Sequence, residues 1–440
     1  MRIMPTRAIV ATSIAAVMIV GLAGCGGGGT KIVAAQPPTG QTGSSADATA
    51  GSVQTAATAD ATGGTGNPFK DIRTAAMHMP ETAETLAGGI AQATKAKGDP
   101  KSDGSTMRAN LTYLFTEHVY LAGLAVATAY HAGAGSDAFK TASASVGANA
   151  TDIEGAVANI VGADRAKPFV AAFDQHITDF VNYAIGAKTG GAKGKKMKDD
   201  ALKALTGYAK AAGEFFSKNT GGALPAKTIE NDTLTHIKTL AAAVDDFAAG
   251  KTSGYDKLKV AGDHMAGSAK VLAEGIAKAT KMTGSPDDKV ADTRASLTGA
   301  LVSHVYLAGL AVFTAYADSG GVTGDQFKAA AGALDKNSVE LSKAVGAVAG
   351  AKNEKTFLQV WRTHITNFVD YAKGDATNDE ALKTRALKDL DGYRMTAGGF
   401  FNKITNGALP ADAVASALKT HIETLAGAID SLRKTLVTST

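Results

Sequence analysis

The chain reads as an all-α protein in which one helical-bundle domain is written twice, behind an export signal and a spacer. Three observations predict this. Apolar residues recur at helical spacing almost everywhere after Asn67. Whole words of sequence return in the same order about 186 residues apart. Fifty glycines, abundant alanine and only 6% aromatic residues favour close-packed small-residue helices over a β-rich sandwich. With 440 residues and 45% hydrophobic composition, there is enough apolar side chain for more than one core.

The elements follow in order. Residues 1–24 form a signal peptide: Arg2 and Arg7 precede an apolar stretch from Ala8 to about Ala23, short for a bilayer span and suited to a signal core. It ends in Leu22-Ala23-Gly24-Cys25, and Cys25 is the chain's one cysteine, which excludes an internal disulfide and every multi-cysteine metal site. Those four residues resemble the lipobox of bacterial lipoproteins. The resemblance implies lipidation of Cys25 and a cell-envelope location on a membrane surface, the outer membrane if the organism has two, since Gly26 carries no acidic retention signal. Residues 25–66 are almost all Gly, Ala, Thr, Ser and Gln and bury too little to order themselves. As a coil they reach roughly 35 Å, a tether long enough to lift a folded body off lipid headgroups.

The two copies occupy 67–250 and 251–440. The longest shared word runs from His118 to Val126 and from His304 to Val312; His176-Ile177-Thr178 matches His364-Ile365-Thr366, and Ala223-Leu224-Pro225 matches Ala408-Leu409-Pro410. A period this long predicts two whole domains rather than a solenoid. In the first copy the spacing predicts helices near 70–97, 104–133, 136–162, 164–188, 196–219 and 225–249, broken at glycine-rich joints such as Gly133-Ala134-Gly135 and Gly190-Gly191. Pro80 predicts a kink in the first of them, where the second copy has Ala266.

Eight of the nine histidines form four pairs across the duplication: His78 with His264, His118 with His304, His176 with His364 and His236 with His421. Each pair sits on a different helix, within its apolar stripe, some eight to fourteen residues or roughly 12–21 Å from a helix end. Four inward imidazoles at one depth predict convergence near the bundle axis, the way metal sites are built in helical bundles. Neutral imidazole ligates zinc, copper and iron, and copper suits a site outside the cytoplasm. Matched carboxylates are missing: Glu117 faces Ser303, Asp174 faces Arg362 and Asp179 faces Asn367, so the carboxylate-bridged diiron pattern does not apply. Tyr120 with Tyr306, Tyr183 with Tyr371, and Asn149 with Asn337 are matched polar residues, readable as outer-sphere partners or as satisfied core groups. Non-covalent haem between two histidines is a further possibility, with Gly123 and Gly88-Gly89 giving room for it.

Other chemistries find little support. The chain has no Gly-x-Ser-x-Gly elbow and no Walker-type phosphate loop. A net charge of +4 argues against nucleic-acid binding, and the basic run Lys193–Lys198 reads as a solvated loop. The words His304-Val305-Tyr306-Leu307 and His364-Ile365-Thr366-Asn367-Phe368-Val369-Asp370-Tyr371 resemble an uncharacterised family of secreted, tandemly duplicated bacterial helical domains, from which the first copy departs by having Asn182 in place of the Asp. That resemblance implies the fold and the envelope location. The expectation is therefore a lipid-anchored binding protein, not an enzyme, sequestering or transferring a transition metal. Its rival is a structural or protein-interaction module whose histidines only complete core contacts.

Overall fold

The computed structural model describes residues 64–437, so the signal peptide, Cys25 and most of the tether lie outside the described residues. The described chain is all-α. In the first copy the helices are α1 (Pro68–Met77), α2 (Met79–Thr94), α3 (Asp103–Ala132), α4 (Asp137–Val161), α5 (Ala163–Thr189), α6 (Gly191–Asn219) and α7 (Ala226–Ala248). In the second they are α8 (Ser253–Ala279), α9 (Lys289–Ala317), α10 (Asp325–Ala349), α11 (Ala351–Thr377), α12 (Glu380–Ile404) and α13 (Ala411–Val437). Side-chain caps define several starts: Asn67 accepts from Lys70, Ser136 from Phe139 and Asp379 from Leu382. Gly162 and Gly350 sit at matching joints with φ of 92° and 85°, a backbone region that glycine enters without a Cβ clash. The kink expected at Pro80 is a full interruption at His78, whereas α8 runs unbroken through His264.

The basic run is not a loop. It lies in the opening turns of α6, where Lys195 and Lys196 pair with Asp199 and Asp200 one turn on, and Lys198 reaches Asp245 on α7 at 2.6 Å. Helix α9 is long and apolar enough to cross a membrane by length and composition, yet 83% of its most apolar stretch is buried inside the protein. That is the pattern of a core helix.

Packing does not follow the repeat boundary at Gly250. Helix α8, the first of the second copy, lies along α3 and α7 of the first. Helices α1 and α2 lie along α9, and α1 also lies along α13. One bundle is thus α3–α8, continuous in sequence, and the other is α9–α13 completed by α1 and α2 from the far end of the chain. The main hydrophobic core runs through both, because α3 and α9 pack against each other as a central pair, with smaller clusters beside it in the first bundle.

Contacts across that pair are reciprocal, as in a two-fold dimer. Tyr120 stacks on Tyr306 with ring centroids 5.7 Å apart and planes 1° from parallel. Arg108 donates to the Pro286 carbonyl at 2.7 Å, and its counterpart Arg294 donates to the Pro100 carbonyl. The exchanged helices seat against glycines: Gly123 on α3 makes room for Leu258 of α8, and Gly309 on α9 makes room for Ile72 of α1. A Cβ on Gly123 would stand 2.5 Å from a Leu258 methyl. Gly123→Val is expected to lower stability by about 1–3 kcal/mol through this overpacking, read as a lower midpoint in thermal or urea denaturation.

The chain closes on itself beside α13. Ser431 donates to Asp71 at 2.7 Å and accepts from the Gly66 amide at 3.2 Å, while Thr65 donates its amide to Asp71 at 2.9 Å. The last residues of the expected tether are therefore fixed to the C-terminal helix.

Candidate metal centre

Three of the four histidines expected in each bundle converge, and all six are buried. His118, His176 and His236, from α3, α5 and α7, offer ligand nitrogens that all lie within 4.8 Å of one another. His304, His364 and His421, from α9, α11 and α13, do the same. His78 and His264 stand outside these clusters. The helix exchange trades them between bundles: α1 ends at His78 and belongs to the second bundle, so His78 influences His421, and His264 on α8 influences His236. The His264 ring nitrogen Nε2 faces the Asp232 carbonyl at 3.1 Å and its carboxylate at 3.5 Å. A local polar partner thus accounts for His264, the fourth position in that bundle.

Geometry within the clusters favours coordination. The Nε2 atoms of His304 and His364 are 3.3 Å apart. Two nitrogens bound to one tetrahedral zinc at roughly 2.0–2.1 Å are separated by about the same distance. The opposite edges of two of the six rings, both in the first bundle, are anchored, while the Nδ1 atoms of His236, His304, His364 and His421 have no hydrogen-bond partner. His118 Nδ1 meets the Asn149 side-chain oxygen at 2.9 Å, and His176 Nδ1 meets the Phe173 carbonyl. An Nδ1–H donated outward leaves the Nε2 lone pair pointing inward, which is how metal-ligating imidazoles are oriented. The Nδ1 of His364 lies beside the Trp361 carbonyl without a hydrogen bond of good geometry. Tyr208 stacks on His176 and Tyr393 on His364, each at 4.5 Å, fixing the ring planes in both copies. These two tyrosines were not singled out from the sequence, although their match across the duplication is visible there.

Burial holds all six imidazoles neutral. It pushes His118 and His421 down to about 4 and His236 and His304 down to about 3, with the Asn149 bond partly opposing the shift at His118. His176 and His364 fall well below the usual imidazole range because burial is compounded by two neighbouring histidines. Neutral imidazole is the form that binds metal.

The two centres differ in their surroundings. Asn149 donates to Glu117 at 2.9 Å, so in the first bundle a carboxylate stands one residue behind His118. In the second, Ser303 replaces Glu117, and both His304 Nδ1 and the Asn337 side-chain oxygen lack partners. Of the matched asparagines, Asn149 bonds a triad histidine, whereas Asn337 donates to the Ala300 carbonyl at 3.0 Å. The matched tyrosines lie elsewhere: Tyr306 donates to Glu117 at 2.9 Å, Tyr183 to Asp245 at 3.0 Å and Tyr371 to Asp430 at 2.9 Å. The glycines expected to make room for haem are filled, Gly123 by Leu258 and Gly89 by Leu409. Axial nitrogens on opposite sides of one iron lie about 4 Å apart with the macrocycle between them, which the closer approach of His304 and His364 does not allow. No family model, curated protein or solved structure matches the chain.

Proposed function

We propose that each bundle holds one transition-metal ion on its buried histidine triad, and that the protein stores or hands on that metal from a lipid anchor at Cys25 outside the cytoplasm. The observation that carries this reading is the convergence of three neutral imidazoles from three separate helices, twice in one chain. A core histidine that serves packing alone needs one local partner. Here, instead, the outward nitrogens of His118 and His176 are held and the inward ones are gathered.

Three nitrogen donors without a carboxylate suit Cu(I), whose single charge lessens the desolvation penalty, or zinc with a fourth position left open. Only nitrogen ligands are assembled, and no nucleophile stands with them, which supports binding rather than catalysis. The lipobox-like Leu22-Ala23-Gly24-Cys25 supports the anchor and the envelope location.

Metal analysis of the full chain after loading with Cu(I) or zinc is expected to give two ions per molecule. Replacing His118, His176 and His236 together by Gln is expected to leave one, and replacing all six to leave none. In titration the first bundle fills first, because Glu117 behind Asn149 strengthens His118 as a donor. Unchanged metal content in a six-fold variant that keeps its helical circular dichroism would sink the reading.

A further inference from the structure

The second bundle contains a cavity of about 580 Å³ between α2 and α9–α13, with His304 and His421 at one end. The first bundle's own cavity at its triad, about 50 Å³, is not the counterpart of this space: it runs from His118 toward the other end of α3, along Ala122, Val126 and Tyr130. At positions that line the larger cavity the first copy carries bulkier side chains. Met107, Leu114 and Phe115 on α3 correspond to Thr293, Ala300 and Leu301 on α9, and all three of the latter line the larger cavity. Its walls are mainly apolar, with Leu86, Val345 and Phe357, and carry the hydroxyls of Thr82, Thr85, Thr293 and Ser296. The two carboxylates in them, Asp292 and Glu340, are paired with Arg108 and Lys259.

Away from the histidines this space adjoins a second cavity through Ile90, Thr293 and Val348. That outer space is lined by Lys95, Lys97 and Lys289. All three lysines are exposed, and none has a carboxylate partner within salt-bridge distance among the described residues. An apolar chamber in the size range of small-molecule sites, entered past three free cations, is complementary to one kind of molecule. We infer that the second bundle binds a single-chain anionic amphiphile, with its alkyl chain in the chamber between α2, α9 and α10 and its charged head at Lys95, Lys97 and Lys289.

The chamber shares His304 and His421 with the second triad but its binding does not depend on a metal, and its test therefore uses the full chain freed of metal with chelator. Calorimetric titration with hexadecanoate, and in a second arm with a lysophosphatidylglycerol of the same chain length, distinguishes a free carboxylate from a lipid headgroup. Saturable binding of one molecule per chain in either arm is expected. Shortening hexadecanoate by four methylenes is expected to weaken binding by about two orders of magnitude, from roughly fourfold per methylene. The double variant Thr293→Met with Ala300→Leu, which installs the first copy's side chains, is expected to abolish binding while helical content is retained. Replacing the three exposed lysines by Glu is expected to weaken binding at least tenfold and leaves the core untouched, so it decides the matter if the filled variant fails to fold. No saturable binding in either arm, or affinity unchanged in the lysine variant, would overturn the inference.

Discussion

Titrated downward from pH 7 after removal of metal, the protein is expected to unfold cooperatively near pH 5. The six triad histidines have folded-state values depressed to about 3–4 or further by burial, against about 6.5 in an unfolded chain. Above pH 6.5 neither state carries these protons and the groups contribute no pH dependence. Below it the unfolded chain takes up protons that the folded one refuses, so stability falls as pH falls. Each histidine contributes about 1.4 kcal/mol per pH unit, which for six is a slope of about 8 kcal/mol per unit. A typical net stability of about 5–15 kcal/mol is exhausted within about two units. Circular dichroism against pH measures the midpoint, and replacing the three histidines of one bundle by Gln should halve the slope. A metal-free protein that stays folded below pH 4 would show that the imidazoles are not buried as described.

Replacement of Glu117 by Ala is expected to cost about 3–5 kcal/mol, because it breaks a buried, fully bonded charge that joins the two bundles. Its carboxylate has no exposed side-chain surface and accepts from Arg73 at 3.1 Å, Tyr113 at 2.8 Å, Tyr306 at 2.9 Å and Asn149 at 2.9 Å. Arg73 comes from α1 and Tyr306 from α9, so one residue of the first bundle holds two elements of the second. Burial raises the Glu117 value, and Arg73 with three hydrogen bonds offsets part of that rise. Without the carboxylate, two tyrosine hydroxyls and an amide lose their acceptor in a dry core. At roughly 2 cal/mol/K per residue of unfolding entropy, the loss lowers the thermal midpoint by about 5 °C. Asp152, half exposed and paired with the same arginine, provides the contrast: its replacement by Ala is expected to cost less than about 1 kcal/mol. Equal effects of the two substitutions would refute the account of Glu117 as the junction.

Much of this was legible in the residues. Helical periodicity and glycine joints placed the helices within a few residues, because both are local signals. The matched histidines marked the clusters, since His118, His176 and His236 each lie in the apolar stripe of their own helix. The partner of α1 was not legible. An amphipathic face records that a helix is buried, not against which neighbour, and α1 and α8 carry such faces whether each docks on its own copy or the other. His78 and His264 were therefore assigned to the wrong halves. Glu117 was set aside for want of a matching carboxylate, yet the mismatch with Ser303 is what makes the two centres unlike. Lys193–Lys198 looked like a loop because charge alone hides the one-turn spacing to Asp199 and Asp200.

The docking of α1 and α2 onto α9 and α13 also sets an order of events during synthesis. Of the described helices these leave the ribosome first, while the strip of α13 that receives α1 is made last, some 340 residues later. At about 5–20 residues per second they wait roughly 20–70 s, long after residues 103–279 have everything needed to collapse into the first bundle. Until α9 is made, Ile72, fully buried in the finished protein, lacks its seat at Gly309, and α1 lacks the α13 strip for longer still. The first helices made are thus among the last to be fully packed, and a shielding chaperone would have its longest engagement there.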